Sequence, residues 1–383
     1  MFSLLFRGYS SLSSLALSRE TVHPPAPMAI SGRNFGLDVM RATAILLVVF
    51  AHYFASTPLQ GGGLLGVEIF FVLSGFLIGD ILIRSLQHDG ATPATLKTFW
   101  MKRWFRTLPN YVFFLLFHLV CFVVVASQLP PNWYRYPFFL QNFFNPNPGF
   151  FSESWSLAVE EWFYLLFPLL AIALNGSSKL NFRALLAAVL FFLTVPLILR
   201  CFACRIWDLQ TVRMIVPLRL DTMMYGVMAA MAMNWRPKLW ARWTGVVALI
   251  PALALLVTGL VIVHHNAAWG SVICFPLIAL GTALGVPYLK DLPRKAIFVS
   301  SVIEYVSKVS YSTYLVHMPF FFFVEGMITW GHTPTAIKLV CRLLMVVAAL
   351  LLSYLPYKYI EQPFMGLRQR WLKRETPAAV FSP

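Results

Sequence analysis

Ten apolar runs, each close to the ~20 residues an α-helix needs to cross a bilayer, constrain this chain more than any other feature of it. They fall at about 37–54, 64–83, 108–126, 155–174, 184–201, 214–233, 243–263, 270–288, 301–325 and 337–358. Lipid offers the backbone no hydrogen-bond partner, so spans of this length close their hydrogen bonds internally, as helices. The 383 residues are 59% hydrophobic and 12% charged, with a mean hydropathy of +0.71, which excludes a soluble globular domain. The expected fold is all-α: a polytopic membrane protein, a bundle of about ten transmembrane helices.

A net charge of +15 fits nucleic acid, a membrane surface or topology, and its distribution decides among them. Lys and Arg collect in alternate connections: Arg84, Lys97, Lys102, Arg103 and Arg106; Lys179 and Arg183; Arg236, Lys238 and Arg242; Lys290, Arg294 and Lys295. Arg7, Arg19 and Arg33 precede the first span, and Arg368, Arg370, Lys373 and Arg374 follow the last. The intervening connections hold only Arg135, Arg200, Arg205, Arg213 and Lys338. The positive-inside rule therefore places both termini in the cytoplasm of a multi-pass cell-membrane protein, with lipids as partners and no nucleic-acid role. It also sets His52, Glu68, Glu160 and Glu161 near the outer surface, and Asp38, Asp80 and Glu361 near the inner one. Residues 34–366 form the membrane domain and 367–383 a basic cytoplasmic tail. Residues 1–33 read as a transit peptide, a disordered leader, or an over-long start ahead of Met28.

Ionisable side chains at membrane depth cost roughly 2.5–3.5 kcal/mol each, so they face a protein interior or a cavity and mark function. The first span carries Asp38, Arg41 and His52. Arg41 and His52 are eleven residues apart, close to three turns, so they share a face about 16 Å apart along the axis. A neutral imidazole is the side chain best suited to take a proton from a hydroxyl and return it. In the second span, Ser74 and Gly75 read as packing residues, while Glu68 matches His52 in depth. Glu160 and Glu161 open the fourth span about 100° apart, so one of them can orient His52 and the other cannot.

Tyr311 and Tyr314 rise outward toward His317 in the ninth span, the tyrosines as hydroxyl donors for substrate or as interhelical hydrogen bonds. Arg103 and Arg106, one turn apart, converge on a phosphate or serve as ordinary anchoring charge. Arg219 and Asp221 in the sixth span are too costly to face lipid. With Glu68, Glu161, Tyr311, Tyr314 and His317 they form the expected substrate-binding set. Cys201 and Cys204 lack the second pair a structural zinc site needs, so no metal is expected, only free thiols or a local disulfide.

Seven of these segments, in order, make the chain similar to the acyltransferase family 3 proteins, membrane-bound O-acyltransferases of cell-surface carbohydrates. They are Gly36-Leu37-Asp38 with Arg41 and His52; Gly66-Val67-Glu68 with Ser74-Gly75-Phe76; Lys102-Arg103 with Arg106 and Pro109; and Trp155-Ser156-Leu157 with Glu160-Glu161 and Tyr164. The others are Arg219-Leu220-Asp221 with Gly226; Ser310-Tyr311-Ser312 with Tyr314 and His317; and Glu361-Gln362-Pro363. The resemblance runs from Phe35 to about Trp371. It implies a ten-helix core, transfer of an acetyl or other short acyl group from cytoplasmic acyl-CoA to an outer hydroxyl, His52 and Arg41 as the key pair, and Arg103 with Arg106 as a required basic motif. It also favours Glu160 over Glu161. Glu68 and Gln362 depart from the family's usual Asp and Arg. Members with a fused hydrolase-like domain are longer, and none is expected here.

The expected mechanism docks acyl-CoA, a donor substrate and not a resident cofactor, at Arg103 and Arg106, with its acyl arm passing Arg41. His52, oriented by Glu160, deprotonates a carbohydrate hydroxyl as it attacks the thioester. The rival from another class is a transporter or flippase of a glycan or lipid-linked substrate, whose usual marks, repeat symmetry and matched broken helices, are not evident in the sequence.

Overall fold

The computed structural model describes residues 33–54, 60–144, 149–176, 180–265, 269–295, 297–327 and 334–375, without the side chains of 60, 61 and 373–375. The leader expected over 1–33, apart from Arg33, lies outside the described residues, as do Lys179, the side chains of Lys373 and Arg374, and the tail from 376 onward.

A helix stands at each of the ten expected spans: α1 (Phe35–Tyr53), α2 (Gln60–His88), α3 (Pro93–Ala126), α4 (Ser154–Asn175), α5 (Phe182–Ala203), α6 (Thr222–Trp235), α7 (Leu249–His265), α8 (Gly270–Lys290), α9 (Phe298–Met327) and α10 (Thr335–Leu352). A further helix, α11 (Gln362–Glu375), follows. The described residues contain no strand. Eight helical stretches among them are long and apolar enough to cross a membrane. The protein is a polytopic helical membrane protein.

Two boundaries differ from the expectation. The sixth span was expected as one helix over 214–233, yet α6 starts only at Thr222 and has 14 residues, about 21 Å and short of a ~30 Å hydrocarbon core. Pro217 holds Val216–Leu218 in a separate 3-10 turn, and the polar pair Arg219 and Asp221 sits at the break. Conversely, α3 begins at Pro93 rather than near 108. Thr92 caps it, its Oγ1 accepting the Thr95 N–H at 3.2 Å, and proline is pre-shaped for the first helical position. Arg103 and Arg106 therefore stand on a helix that runs on through Pro109, not in a connection.

Bare glycine surfaces bring α2 and α6 together. A Cβ on Gly75 would collide with the Met223 carbonyl, and one on Gly226 with the Val72 carbonyl, so the backbones approach as small residues permit in membranes. Gly36 plays the same part against the Leu289 carbonyl at the end of α8. There Asn34 caps α1, accepting from Leu37 N at 3.0 Å, and its Nδ2 donates to the Lys290 carbonyl at 2.8 Å. α1 packs between α2 and α9, which fixes the face carrying Arg41 and His52 toward the interior. Between α10 and α11 a π-turn, Tyr357–Glu361, carries the buried Glu361.

Candidate functional site

A cavity lies inside the bundle, lined by Arg41 of α1, Ser74 of α2, Arg103 and Arg106 of α3, Glu160 of α4, and Tyr311 and Tyr314 of α9. Asp38 is buried beside Arg41, its Oδ1 3.6 Å from Arg41 Nη1. Ser307 Oγ donates to that Oδ1 at 2.6 Å and lies 3.4 Å from the same guanidinium. Arg103 stacks over the Tyr164 ring at 4.3 Å. Glu160 accepts from Ser74 Oγ and from the Tyr164 hydroxyl, each at 2.9 Å. Tyr311 donates to the Thr107 carbonyl at 2.7 Å. Arg106 faces the cavity with no hydrogen bond or ion pair among the described residues. A low-dielectric pocket holding three guanidiniums is suited to a polyanion.

His52 does not line the cavity. It stands at the far end of α1, and its Nδ1 lies 2.8 Å from the Val48 carbonyl. A carbonyl only accepts, so Nδ1 carries the proton and Nε2 is left with its lone pair. Its ring meets that of His317 edge-on, centroids 5.1 Å apart. His317 is fully buried, its Nδ1 2.6 Å from the Tyr314 carbonyl and its Nε2 without a hydrogen-bond partner. Tyr314 joins the two regions. It lines the cavity, packs on the His317 ring at 5.5 Å, shares a 2.7 Å hydrogen bond with Ser156 and donates to the Glu153 carbonyl at 3.0 Å. The Glu153 carboxylate lies 3.3 Å from His118 Nε2.

The family model described as an acyltransferase domain, that of acyltransferase family 3, matches residues 34–358. The chain belongs to acyltransferase family 3. The O-acetyltransferase OatA of Staphylococcus aureus strain NCTC 8325 / PS 47 is 28% identical over 359 residues, covering 86% of this chain and 56% of its own length. OatA of S. aureus strain COL matches to the same extent. The chain thus spans little more than half the length of these curated relatives. No solved structure matches it.

Within this family 3 acyltransferase, the expected partnership of Glu160 with His52 is not what the structure shows. Glu160 lies more than a helical turn along α4 from Glu153 and is held by Ser74 and Tyr164 beside Arg103, while the charges that reach His52 are Glu153 and Arg213. Glu161 is buried beside Thr107 and also faces Arg103. Glu68, Arg219 and Asp221, expected among the substrate contacts, do not line the cavity. Glu68 pairs with Arg219, whose guanidinium stacks on Phe275 at 3.5 Å. Asp221 is gripped by Arg200 through two hydrogen bonds of 2.7 and 2.6 Å. All four are at most 1% exposed, and each charge is balanced by its partner, as burial requires. The structure brings Tyr311, Tyr314, Arg41, Arg103 and Arg106 together around the cavity and sets His317 against His52.

Four residues escaped the sequence reading. Arg200 and Arg213 stand among the connection charges of the sequence, yet Arg200 is fully buried and Arg213 stacks over Trp155 at 5.2 Å. Glu153 directly precedes a recognised motif. His118 sits within an apolar run, the same signal that exposed His52. Cys201 and Cys204 are free thiols, and the described residues hold no cluster able to bind a metal.

Proposed function

We propose that this protein is a cell-membrane O-acyltransferase that moves an acetyl or other short acyl group from cytoplasmic acyl-CoA to a hydroxyl of a carbohydrate or related glycoside at the outer face. The observation that carries the reading is the placement on one helix of Arg41, which lines the arginine-rich cavity, and of an imidazole with a free Nε2 about 16 Å further along the axis. In this reading both termini are cytoplasmic, so the cavity receives the donor and His52 meets the acceptor. Arg103 and Arg106 hold the donor phosphates, Arg41 guides the acyl arm, and Tyr311 and Tyr314 line its route. Glu160 fixes Arg103 rather than His52.

Chemically, the acceptor oxygen attacks the thioester carbonyl while its proton passes to His52 Nε2. The C–S bond breaks, and the imidazolium returns that proton to the departing thiolate. The Val48 carbonyl orients the His52 ring through Nδ1, and of the charges that reach the ring Glu153 favours its protonation while Arg213 opposes it. The names of the OatA relatives support O-acetylation.

The test is comparative mass spectrometry of surface glycans from cells with and without the gene. Loss of an acyl increment from one glycan supports the reading and identifies the acceptor. Unchanged glycan masses, with a substrate instead retained on one side of the membrane, would favour transport.

A further inference from the structure

The tail helix α11 docks on the cavity-forming helix α3 at the turn that carries the basic motif. Trp371 is held there by the Phe105 ring, centroids 6.4 Å apart, and by the Lys97 ammonium at 5.8 Å. Arg368 Nη1 reaches the Lys102 carbonyl at 3.4 Å. In an α-helix that carbonyl points along the axis at the amide of Arg106, so the Arg368 guanidinium lies between the bases of the Arg103 and Arg106 side chains. The fields of both arginines reach it.

Three guanidiniums therefore gather about one turn of α3, and the carboxylates that face them are themselves held by other partners. The carboxylates facing the group are Glu160, bound to Ser74 and Tyr164, Glu161, buried beside Thr107, and Glu361, bound to Ser312 at 3.3 Å. Arg106 has no hydrogen-bond or ion-pair partner among the described residues, and the Nε groups of Arg103 and Arg368 are buried without one. Buried donors left unpaired are costly, and here they belong to two neighbouring cations, Arg103 and Arg368. Arg368 also stands beyond residue 358, where the family match ends.

We propose that Arg368 completes a three-arginine phosphate clamp with Arg103 and Arg106, and that the tail helix is thereby part of the donor site. The ligand chemistry is a phosphate-bearing anion. The inference rests on the reading above that acyl-CoA docks at Arg103 and Arg106, and it makes Arg368 a binding residue for the nucleotide half of that donor.

The experiment uses the full chain in nanodiscs of zwitterionic lipid and measures binding of labelled acetyl-CoA. Displacement by adenosine 3′,5′-bisphosphate and by phosphate-free S-acetylpantetheine separates the two halves of the donor. Arg368→Gln is expected to weaken acetyl-CoA and the bisphosphate about tenfold, the effect of losing one hydrogen bond to a charged group, and to leave S-acetylpantetheine within about twofold. Arg368→Lys should fall between. Equal weakening of all three ligands would mean that Arg368 only props the helix, and no weakening would mean that it touches no phosphate; either overturns the proposal. An effect seen only after anionic lipid is added would assign Arg368 to a lipid headgroup and overturn it equally. Arg103→Gln in parallel separates the two levels: if it too leaves acetyl-CoA binding unchanged, the docking site itself is misplaced, whereas a loss confined to Arg103 rejects Arg368 alone.

Discussion

His317 and His52 meet edge-on across the α1–α9 interface, 5.1 Å between ring centroids, each with Nδ1 turned back to a carbonyl of its own helix. Both imidazoles thus keep Nε2 free of backbone bonds. His317 is sealed from solvent and packs the ring that the proposed chemistry uses. Replacing it by Gln should lower the acyl-transfer rate about tenfold to a hundredfold, through loss of His52 positioning, while acetyl-CoA binding stays unchanged. Single-turnover transfer and equilibrium binding on the same preparation check this.

Glu68 with Arg219, and Arg200 with Asp221, are ion pairs sealed in the bundle. Removing one partner strands a buried charge, so Arg219→Leu or Arg200→Leu should destabilise the protein by about 3–5 kcal/mol. Replacing both members together, as in Glu68→Leu with Arg219→Met, should recover most of that loss. Thermal unfolding in detergent measures it. A variant that unfolds normally yet loses donor binding would instead restore these residues to a substrate role.

The α2–α6 contact tolerates no Cβ at Gly75 or Gly226. Gly75→Val or Gly226→Val should separate the helices and abolish monodisperse protein on size-exclusion chromatography. Gly366→Ala, where an added Cβ meets nothing within 4 Å, should behave as the parent.

Arg103 stacks on Tyr164 with a planar guanidinium. Arg103→Lys keeps the charge but loses the plane and the fork. The Michaelis constant for acyl-CoA should rise about tenfold with a smaller change in the maximal rate, as loss of one charge-assisted contact implies. Steady-state kinetics with varied donor decides it.

The fold was legible where physics is one-dimensional. A bilayer demands a minimum apolar length, so a helix stands at each apolar run, while the caps at Asn34 and Thr92 that set two helix starts went unread. The sequence misled where the solvent of a residue is other protein. Arg200 follows an apolar stretch at the end of its span and reads as loop charge, but Asp221, twenty-one positions on, neutralises it. The same blindness moved Glu160 to His52. Depth along a helix is readable, but which neighbour a side chain meets depends on helix order around the bundle, and that order put Ser74 and Tyr164 beside Glu160. Arg41 was legible because a cation at membrane depth has few reasons to exist other than function, and Arg103 with Arg106 because their one-turn spacing suits a phosphate.

The central claim is that His52 Nε2 takes the acceptor proton. The direct measurement is transfer of label from acetyl-CoA to the acceptor glycan in proteoliposomes holding parent or His52→Gln protein, with donor binding followed in the same vesicles. Transfer slowed at least about a hundredfold, the low end for loss of a general base, with donor binding unchanged is the predicted result. Transfer by His52→Gln at the parent rate would contradict it.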